Sequence, residues 1–442
     1  MPATDMIEKR FAVTGNPILH SKSPIMFNAV FTKFSYPAVY TRLAASSAEE
    51  ALFLFNELRL DGMNVTAPFK KDMLDYMDFV DRAGNTINAI NTVVRRNGGL
   101  YGYNTDYLGV VEALTARGID VKEKICVVIG AGGAGRAAIY GLINAGARVT
   151  LINRTFEKAL HVARVHSCNA EPIERLEEIL RYTHILVSTL PHGIDVIKPE
   201  WLRKDQVVFD ASYKSSTLIR NAFVRGCTVI KGEEWLLNQA IPAFGLFMGN
   251  YPSPEEIDVM KNALASSQAI KPSNIALTGF MGSGKSVVGQ ALAQAIRCGF
   301  KDIDQSIEVA ECTSIPEIFK TRGEVYFRMI EKRVLKQELE TQNECVVSCG
   351  GGAVMDEENR SLLKNHSLIV WLYASISTTL KRLEPGSRPL LDCPEPEEKA
   401  GELLKQRLPF YTQIADIVVN SESGIKETVE KIHGEICKAF GN

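Results

Sequence analysis

Short apolar runs alternate with amphipathic stretches along most of the chain. The runs ICVVIG (125–130), RVTLIN (148–153), HILVSTL (184–190), VVFDAS (207–212), NIALTGF (274–280), ECVVSCG (344–350) and LIVWLY (368–373) have the length of strands. Segments 135–145, 285–296 and 324–341 between them read as helices. This strand–helix–strand rhythm predicts parallel α/β sheets.

Two Gly-rich turns, near residues 130 and 280, each join a strand-like run to a helix-like one. They follow different nucleotide-binding plans, so one sheet does not easily own both. The Pro- and Ser-containing stretch 250–274 lies between them and offers a break. We expect residues 266–273 to form a linker and 274–442 a second α/β domain.

Composition narrows the class. With 45% hydrophobic and 23% charged residues, the chain has enough apolar material to bury real cores. Fifty basic residues against 52 acidic ones leave a net charge of −2, which gives no sign of a nucleic-acid partner. No run approaches the ~20 apolar residues of a membrane span. The start, MPATDMIEKRF, carries charges where an export signal needs an apolar core. A cytoplasmic protein without membrane partners is expected. The nine scattered cysteines read as thiols of a reducing compartment, and His161 and His166 as surface residues. Oligomeric state is not legible.

The first turn reads GAGGAG, with Gly130, Gly132 and Gly135 in G-x-G-x-x-G spacing and Gly133 between them. Glycines at these places allow a tight turn, close approach to a pyrophosphate, and helix-on-strand packing. The next strand ends in Asn153-Arg154-Thr155 rather than an acidic residue. A guanidinium and a hydroxyl suit a 2′-phosphate, so NADP is expected over NAD. Upstream, GNPILHSKSP (15–24), GMNVTAPFK (62–70) and GYNTDYLG (102–109) are dense in hydrogen-bonding groups. Among them, Lys70 and Asp106 form a plausible acid–base pair for a polyhydroxylated, carboxylated small molecule.

The second turn, GFMGSGKS (279–286), matches G-x-x-x-x-G-K-[ST]. Backbone from Gly279, Gly282, Ser283 and Gly284 would cradle the phosphates of ATP, Lys285 would reach them, and Ser286 would ligate Mg2+. Asp302 and Asp304 follow, expected on one strand with both carboxylates on one face. One would hold Mg2+ through water and the other would take a proton from the acceptor hydroxyl.

The motifs GNPxxHSKSP, NVTxPFK, NTDxxG and NRT together resemble shikimate dehydrogenase over about residues 10–265. The resemblance implies that Ser21 and Ser23 bind the substrate carboxylate. It implies that Asn64, Thr66, Asn91 and Gln239 hold ring hydroxyls or neighbouring groups, and that Tyr213 faces the substrate. Lys70 and Asp106 would be the catalytic pair. The chain departs from the family pattern after Tyr213, at Gly232-Glu233-Glu234 and at Ser188-Thr189-Leu190-Pro191.

The second Gly-rich turn, the DxD, Phe327-Arg328-x-x-Glu331, Gly350-Gly351-Gly352, Arg388-Pro389-Leu390-Leu391 and Arg407-x-x-x-Tyr411 resemble shikimate kinase over 274–435. By that resemblance Asp304 and Arg328 bind shikimate, and the three glycines back its ring. Arg407 would pair with its carboxylate, Arg388 would fold over the transferring phosphate, and Arg382 would lie near the adenine. Glu331 would orient Arg328.

The architecture that the resemblance implies is a two-lobed dehydrogenase, with an α/β substrate lobe of residues 1–105 to which late helices from 235–265 return and a Rossmann dinucleotide lobe of residues 106–232, followed after the linker by a P-loop domain, 274–442, like those of nucleoside monophosphate kinases. The implied activities are consecutive: 3-dehydroshikimate to shikimate with NADPH, then shikimate to shikimate 3-phosphate with ATP and Mg2+. Two alternatives stay open at this point. One is a single active half joined to a degraded partner. The other is a metabolite sensor without turnover.

Overall fold

The apolar runs form the expected strands, each trimmed or extended by a residue or so at its ends. They are Ile125–Ile129, Arg148–Ile152, Ile185–Ser188, Val207–Asp210, Asn274–Thr278, Cys345–Ser348 and Ser367–Tyr373. The computed structural model describes residues 8–191, 193–212, 216–267, 273–341, 344–383 and 389–441. Chain contacts gather these into two compact units, one built from 1–24, 31–60 and 267–442, the other from 25–30 and 61–266. The units change over at 266/267, but residues 1–24 and 31–60 group with the C-terminal part of the chain. Residues 268–272 of the expected linker lie outside the described residues.

In the first unit the strands lie in the order Gly299–Asp302, Cys345–Ser348, Asn274–Thr278, Ser367–Tyr373, Ile417–Asn420, Ala38–Ala44 and Lys9–Gly15. Every pairing between them is parallel. All seven residues of Ser367–Tyr373 are buried, as expected for a central parallel strand covered on both faces. The early strand Ala38–Ala44 joins the later part of the chain in register, with Leu43 opposite Val418 and Ala44 opposite Val419.

The second unit holds a six-stranded parallel sheet in the order Thr228–Ile230, Val207–Asp210, Ile185–Ser188, Ile125–Ile129, Arg148–Ile152, Asn169–Glu171. Numbered along the chain this is 6-5-4-1-2-3, the doubly wound Rossmann order. Its switch point lies between Ile125–Ile129 and Ile185–Ser188, where such sheets bind ligands. Two apolar clusters cover the faces, one around Val128, Ile139 and Leu151, the other around Val127, Leu186 and Val208. A smaller group of strands, Gly62–Val65, Thr92–Arg96, Gly99–Tyr103 and Phe79–Val80, completes this unit.

The long helix Gly232–Met248 packs on Asp106–Thr115 so closely that a Cβ on Gly109 would stand 2.7 Å from the Trp235 ring. The helix expected over 324–341 begins earlier, at Ile315, and bends at Gly323, where φ is 78°. His166 is buried rather than on the surface, and its pKa is lowered by that burial and by Arg136.

Candidate active sites

In the second unit, four segments far apart in sequence bring a polar cluster together. Lys70 Nζ lies 2.5 Å from Asp106 Oδ2, and both side chains are largely buried. Asp106 opens the helix Asp106–Thr115. Its other carboxylate oxygen accepts a hydrogen bond from Asn91 Nδ2 at 2.9 Å. Asn91 Nδ2 also reaches Gln239 Oε1 at 3.0 Å, and Asn64 Nδ2 donates to the Asn91 carbonyl at 3.1 Å. Thr66 follows the strand Gly62–Val65 in the same segment as Lys70. Lys70, Asp106, Asn91, Asn64 and Gln239 thus form one connected network.

Two supports of this network were not singled out from sequence. Trp235 Nε1 donates to the Asp106 carbonyl at 2.9 Å, and Thr105 N donates to Asn91 Oδ1 at 2.7 Å. Thr105 sits inside the NTD motif, whose Asn104 and Asp106 draw notice first. Nothing in the sequence marks Trp235.

The glycine turn lies beside this cluster. Gly133 opens the helix Gly133–Asn144, and a Cβ on it would meet the Lys70 stem at 3.6 Å. A Cβ on Gly135 would stand 1.9 Å from the Gly130 carbonyl oxygen, so no side chain fits there. At Gly132 a Cβ would meet nothing within 4 Å, which leaves room for a phosphate above the helix N-terminus. Asn153 Oδ1 accepts from the Ala131 amide at 3.2 Å and so braces the turn. Arg154 and Thr155 are exposed at the end of the second strand. Neutral, basic and open, this donor set fits a phosphorylated dinucleotide.

Ser21 and Ser23 lie in the first unit, at the start of the helix Ser23–Lys33. Ser21 Oγ accepts from the Ser23 amide at 3.4 Å, and Arg42 Nη2 donates to the Ser21 carbonyl at 2.7 Å. Tyr213 lies outside the described residues.

The same unit carries the second Gly-rich turn, between Asn274–Thr278 and the helix Lys285–Ile296. Gly279, Gly282 and Gly284 take φ of 143°, 77° and 90°, which turn the loop backbone inward as a phosphate cradle requires. Lys285 Nζ donates to the Gly279 and Phe280 carbonyls at 2.9 Å each, folding across the loop. One cleft is lined by this loop, Ser283 and Ser286 included, with Asp304 and Arg382 at its side. Arg382 Nη2 bonds the Ser421 carbonyl at 2.9 Å.

A second cleft is lined by Arg328, Glu331, Gly350, Gly351, Gly352 and Arg407. Asp304 lines this one too, so it stands where the two clefts meet. The expectation that Asp302 and Asp304 share a strand face is corrected. Only Asp302 ends the strand Gly299–Asp302, and Asp304 lies in the first turn of the helix Ile303–Glu311. Asp302 Oδ1 caps that helix, accepting from the Asp304 and Gln305 amides at 3.0 and 3.4 Å. The N-capping preference of Asp has overridden strand continuation. No group of three or more His, Cys, Asp or Glu able to hold a metal occurs among the described residues.

Arg328 Nη1 pairs with Glu331 Oε2 at 2.7 Å and Nη2 with Glu324 Oε1 at 3.0 Å. Burial opposes the Arg328 charge, but Glu331 and Glu324 outweigh it and raise its pKa. A Cβ on Gly352 would stand 2.4 Å from the Arg328 guanidinium, so this glycine makes room for the charge. Arg407 is buried and donates to the Gly351 carbonyl at 3.2 Å. Tyr411, one turn on, bonds the same carbonyl, and burial pushes its phenol up to about 12. Arg388 lies outside the described residues.

Comparison with known proteins matches successive stretches of the chain. The shikimate dehydrogenase substrate binding domain profile matches residues 13–93, and the shikimate / quinate 5-dehydrogenase profile matches 112–225. A shikimate dehydrogenase (NADP(+)) of Aquifex aeolicus is 37% identical over 246 residues, covering 54% of this chain and 91% of the relative.

The chain belongs to the shikimate dehydrogenase family.

Behind that region, residues 281–437 match the shikimate kinase profile, so the protein joins an oxidoreductase to a phosphotransferase. A solved shikimate dehydrogenase from Aquifex aeolicus superposes with a TM-score of 0.55 at 33% identity, over 60% of this chain and 99% of that one. One from Thermus thermophilus, in complex with NADP(H) and shikimate, gives 0.53 at 32%, over 58% and 99%. Fusion partners vary among relatives. The Arabidopsis thaliana bifunctional 3-dehydroquinate dehydratase/shikimate dehydrogenase is 32% identical over 273 residues, which cover 56% of this chain and 45% of that protein. No described helix is long and apolar enough to cross a membrane.

Proposed function

We propose that this chain carries out two consecutive steps, reducing 3-dehydroshikimate to shikimate and then phosphorylating shikimate to shikimate 3-phosphate. The observation that carries the first step is the buried Lys70–Asp106 pair beside the glycine turn. NADPH, when bound on that turn, supplies the hydride. Lys70 Nζ polarises the carbonyl oxygen and gives it a proton as negative charge develops. Asp106 orients Lys70 through their hydrogen bond and accepts a hydrogen bond from a neighbouring hydroxyl. In the reverse direction Lys70 takes the proton back. Asn64, Thr66, Asn91, Gln239 and Tyr213 bind the ring hydroxyls, and Ser21 with Ser23 receives the carboxylate. Gly130, Gly132, Gly133, Gly135 and Asn153 hold the cofactor backbone, and Arg154 with Thr155 selects its 2′-phosphate.

For the second step, ATP with Mg2+ supplies the phosphoryl group. Gly279, Gly282, Ser283 and Gly284 bind its phosphates through their amides, with Lys285 across them and Arg382 near the base. Ser286 and Asp302 hold the metal, Asp302 through water. Asp304 orients the acceptor hydroxyl and takes its proton. Arg328 and Arg407 grip the acceptor with guanidinium forks suited to carboxylate and hydroxyl oxygens, the three glycines back its ring, and Arg388 folds over the transferring group. The substrates are small molecules, and the compartment is the cytoplasm.

The test is a one-pot incubation of purified protein with 3-dehydroshikimate, NADPH and Mg-ATP, read by mass spectrometry. Shikimate 3-phosphate is the expected product. Shikimate alone would mean a silent kinase half, and no product would leave a binding protein without turnover.

A further inference from the structure

The loop that carries Ser21 and Ser23 is held from outside the dehydrogenase part of the sequence. Ile18 N and Leu19 N both donate to Glu435 Oε2, at 2.8 Å each. Glu435 sits on the helix Ile425–Phe440, within the stretch that matches shikimate kinase, whereas Ile18 and Leu19 lie within the dehydrogenase stretch. All three residues are buried. Two residues further on, the Ser21 carbonyl accepts from Arg42 Nε and Nη2 at 3.0 and 2.7 Å. Arg42 Nη1 in turn donates to the carbonyl of Asp416, again in the kinase stretch, at 3.0 Å. The loop is therefore fastened at two points, one a carboxylate and one a guanidinium. Both fastenings are part of a larger seam, in which Thr41 Oγ1 donates to the Ala415 carbonyl at 3.0 Å and Lys431 pairs with Glu50 at 2.6 Å.

Buried backbone amides need partners, and a carboxylate oxygen shared by two of them is a strong, short-range anchor. We propose that Glu435, through the Ile18 and Leu19 amides, is a positioning residue for the dehydrogenase reaction, setting the loop that receives the substrate carboxylate. The inference rests on the role given above to Ser21 and Ser23. It makes the last helix of the kinase part a support of the loop that carries Ser21 and Ser23.

The test uses the full chain carrying Glu435→Ala or Glu435→Gln. Glutamine keeps a carbonyl oxygen that can accept from both amides; alanine leaves both buried and unpaired. In NADP-linked shikimate oxidation, E435A is expected to raise KM for shikimate about tenfold, with KM for NADP+ and both kinase constants within twofold of wild type. E435Q should restore KM for shikimate to within threefold. Hydrogen exchange of the peptide spanning residues 16–24 should quicken in E435A and not in E435Q. An unchanged shikimate KM in E435A overturns the proposal. So does a parallel loss of both activities, which would mark a general loss of fold. If the wild-type chain shows no NADP-linked oxidation, the proposed function has failed, and exchange of the 16–24 peptide alone decides whether Glu435 holds the loop.

Discussion

Lys70 and Asp106, 36 residues apart, meet at 2.5 Å inside a network that also includes Asn91 and Gln239. The pair joins a residue just beyond the strand Gly62–Val65 to the first residue of a helix, so each side chain is set by a different element. Lys70→Ala removes the group assigned to proton transfer. Its kcat for the NADP-linked reaction should fall by about 10²–10⁴-fold, the range for loss of a positioned acid–base group. Phosphorylation of shikimate should stay within twofold, measured on the same preparation.

Asp304 gives the mirror-image result. It lines both clefts of the kinase part. Asp304→Asn keeps the shape and removes the carboxylate, so shikimate phosphorylation should fall at least about a hundredfold. Chelation of Mg2+ should stop the same reaction. Neither treatment should alter NADP-linked oxidation, and a drop there would break the separation of the two sites.

In the proposed function Arg154 selects the cofactor; it is exposed at the end of the strand Arg148–Ile152 with no acidic residue beside it at the strand end. Arg154→Ala should raise KM for NADP+ about tenfold or more, since hydrogen bonds to a charged group are worth ~1.5–3 kcal/mol. KM for NAD+, which lacks the 2′-phosphate, should hardly move.

Gly135→Ala tests the turn itself. The added Cβ would fall 1.9 Å from the Gly130 carbonyl, which is backbone and has no flexible end to yield. The loop must shift, at about 1–3 kcal/mol for overpacking. NADP+ binding by fluorescence titration should weaken strongly while ATP binding is retained.

The thiols divide by exposure. Burial pushes Cys126 and Cys349 up to about 12, so at pH 8 only ~1 in 10⁴ of either is thiolate. Cys312 and Cys393 are exposed. Ellman titration of the native protein should modify Cys312 and Cys393 first, and Cys126 and Cys349 only on unfolding.

Much of this is legible along the chain because the relevant physics is local. A strand, a tight glycine turn and a helix N-terminus make each phosphate site from consecutive residues, so 125–144 and 274–296 announce themselves. The Asp302–Asp304 pair departs from the strand pattern for an equally local reason: Asp302 prefers to cap a helix, and strand alternation ends there. Arg388 and Tyr213 are assigned from motif alone.

The two nucleotide-binding plans, the choice of Lys70 and Asp106 and the parallel α/β class can all be read without coordinates, because periodicity and turn chemistry are written in neighbouring residues. Packing of the whole chain was needed to show that Trp235 backs Asp106, that Ala38–Ala44 pairs with Ile417–Asn420, and that Glu435 anchors Ile18 and Leu19. These contacts span up to 417 residues. A strand edge or a buried amide specifies only that it needs a partner, and which group supplies it depends on how distant segments come together.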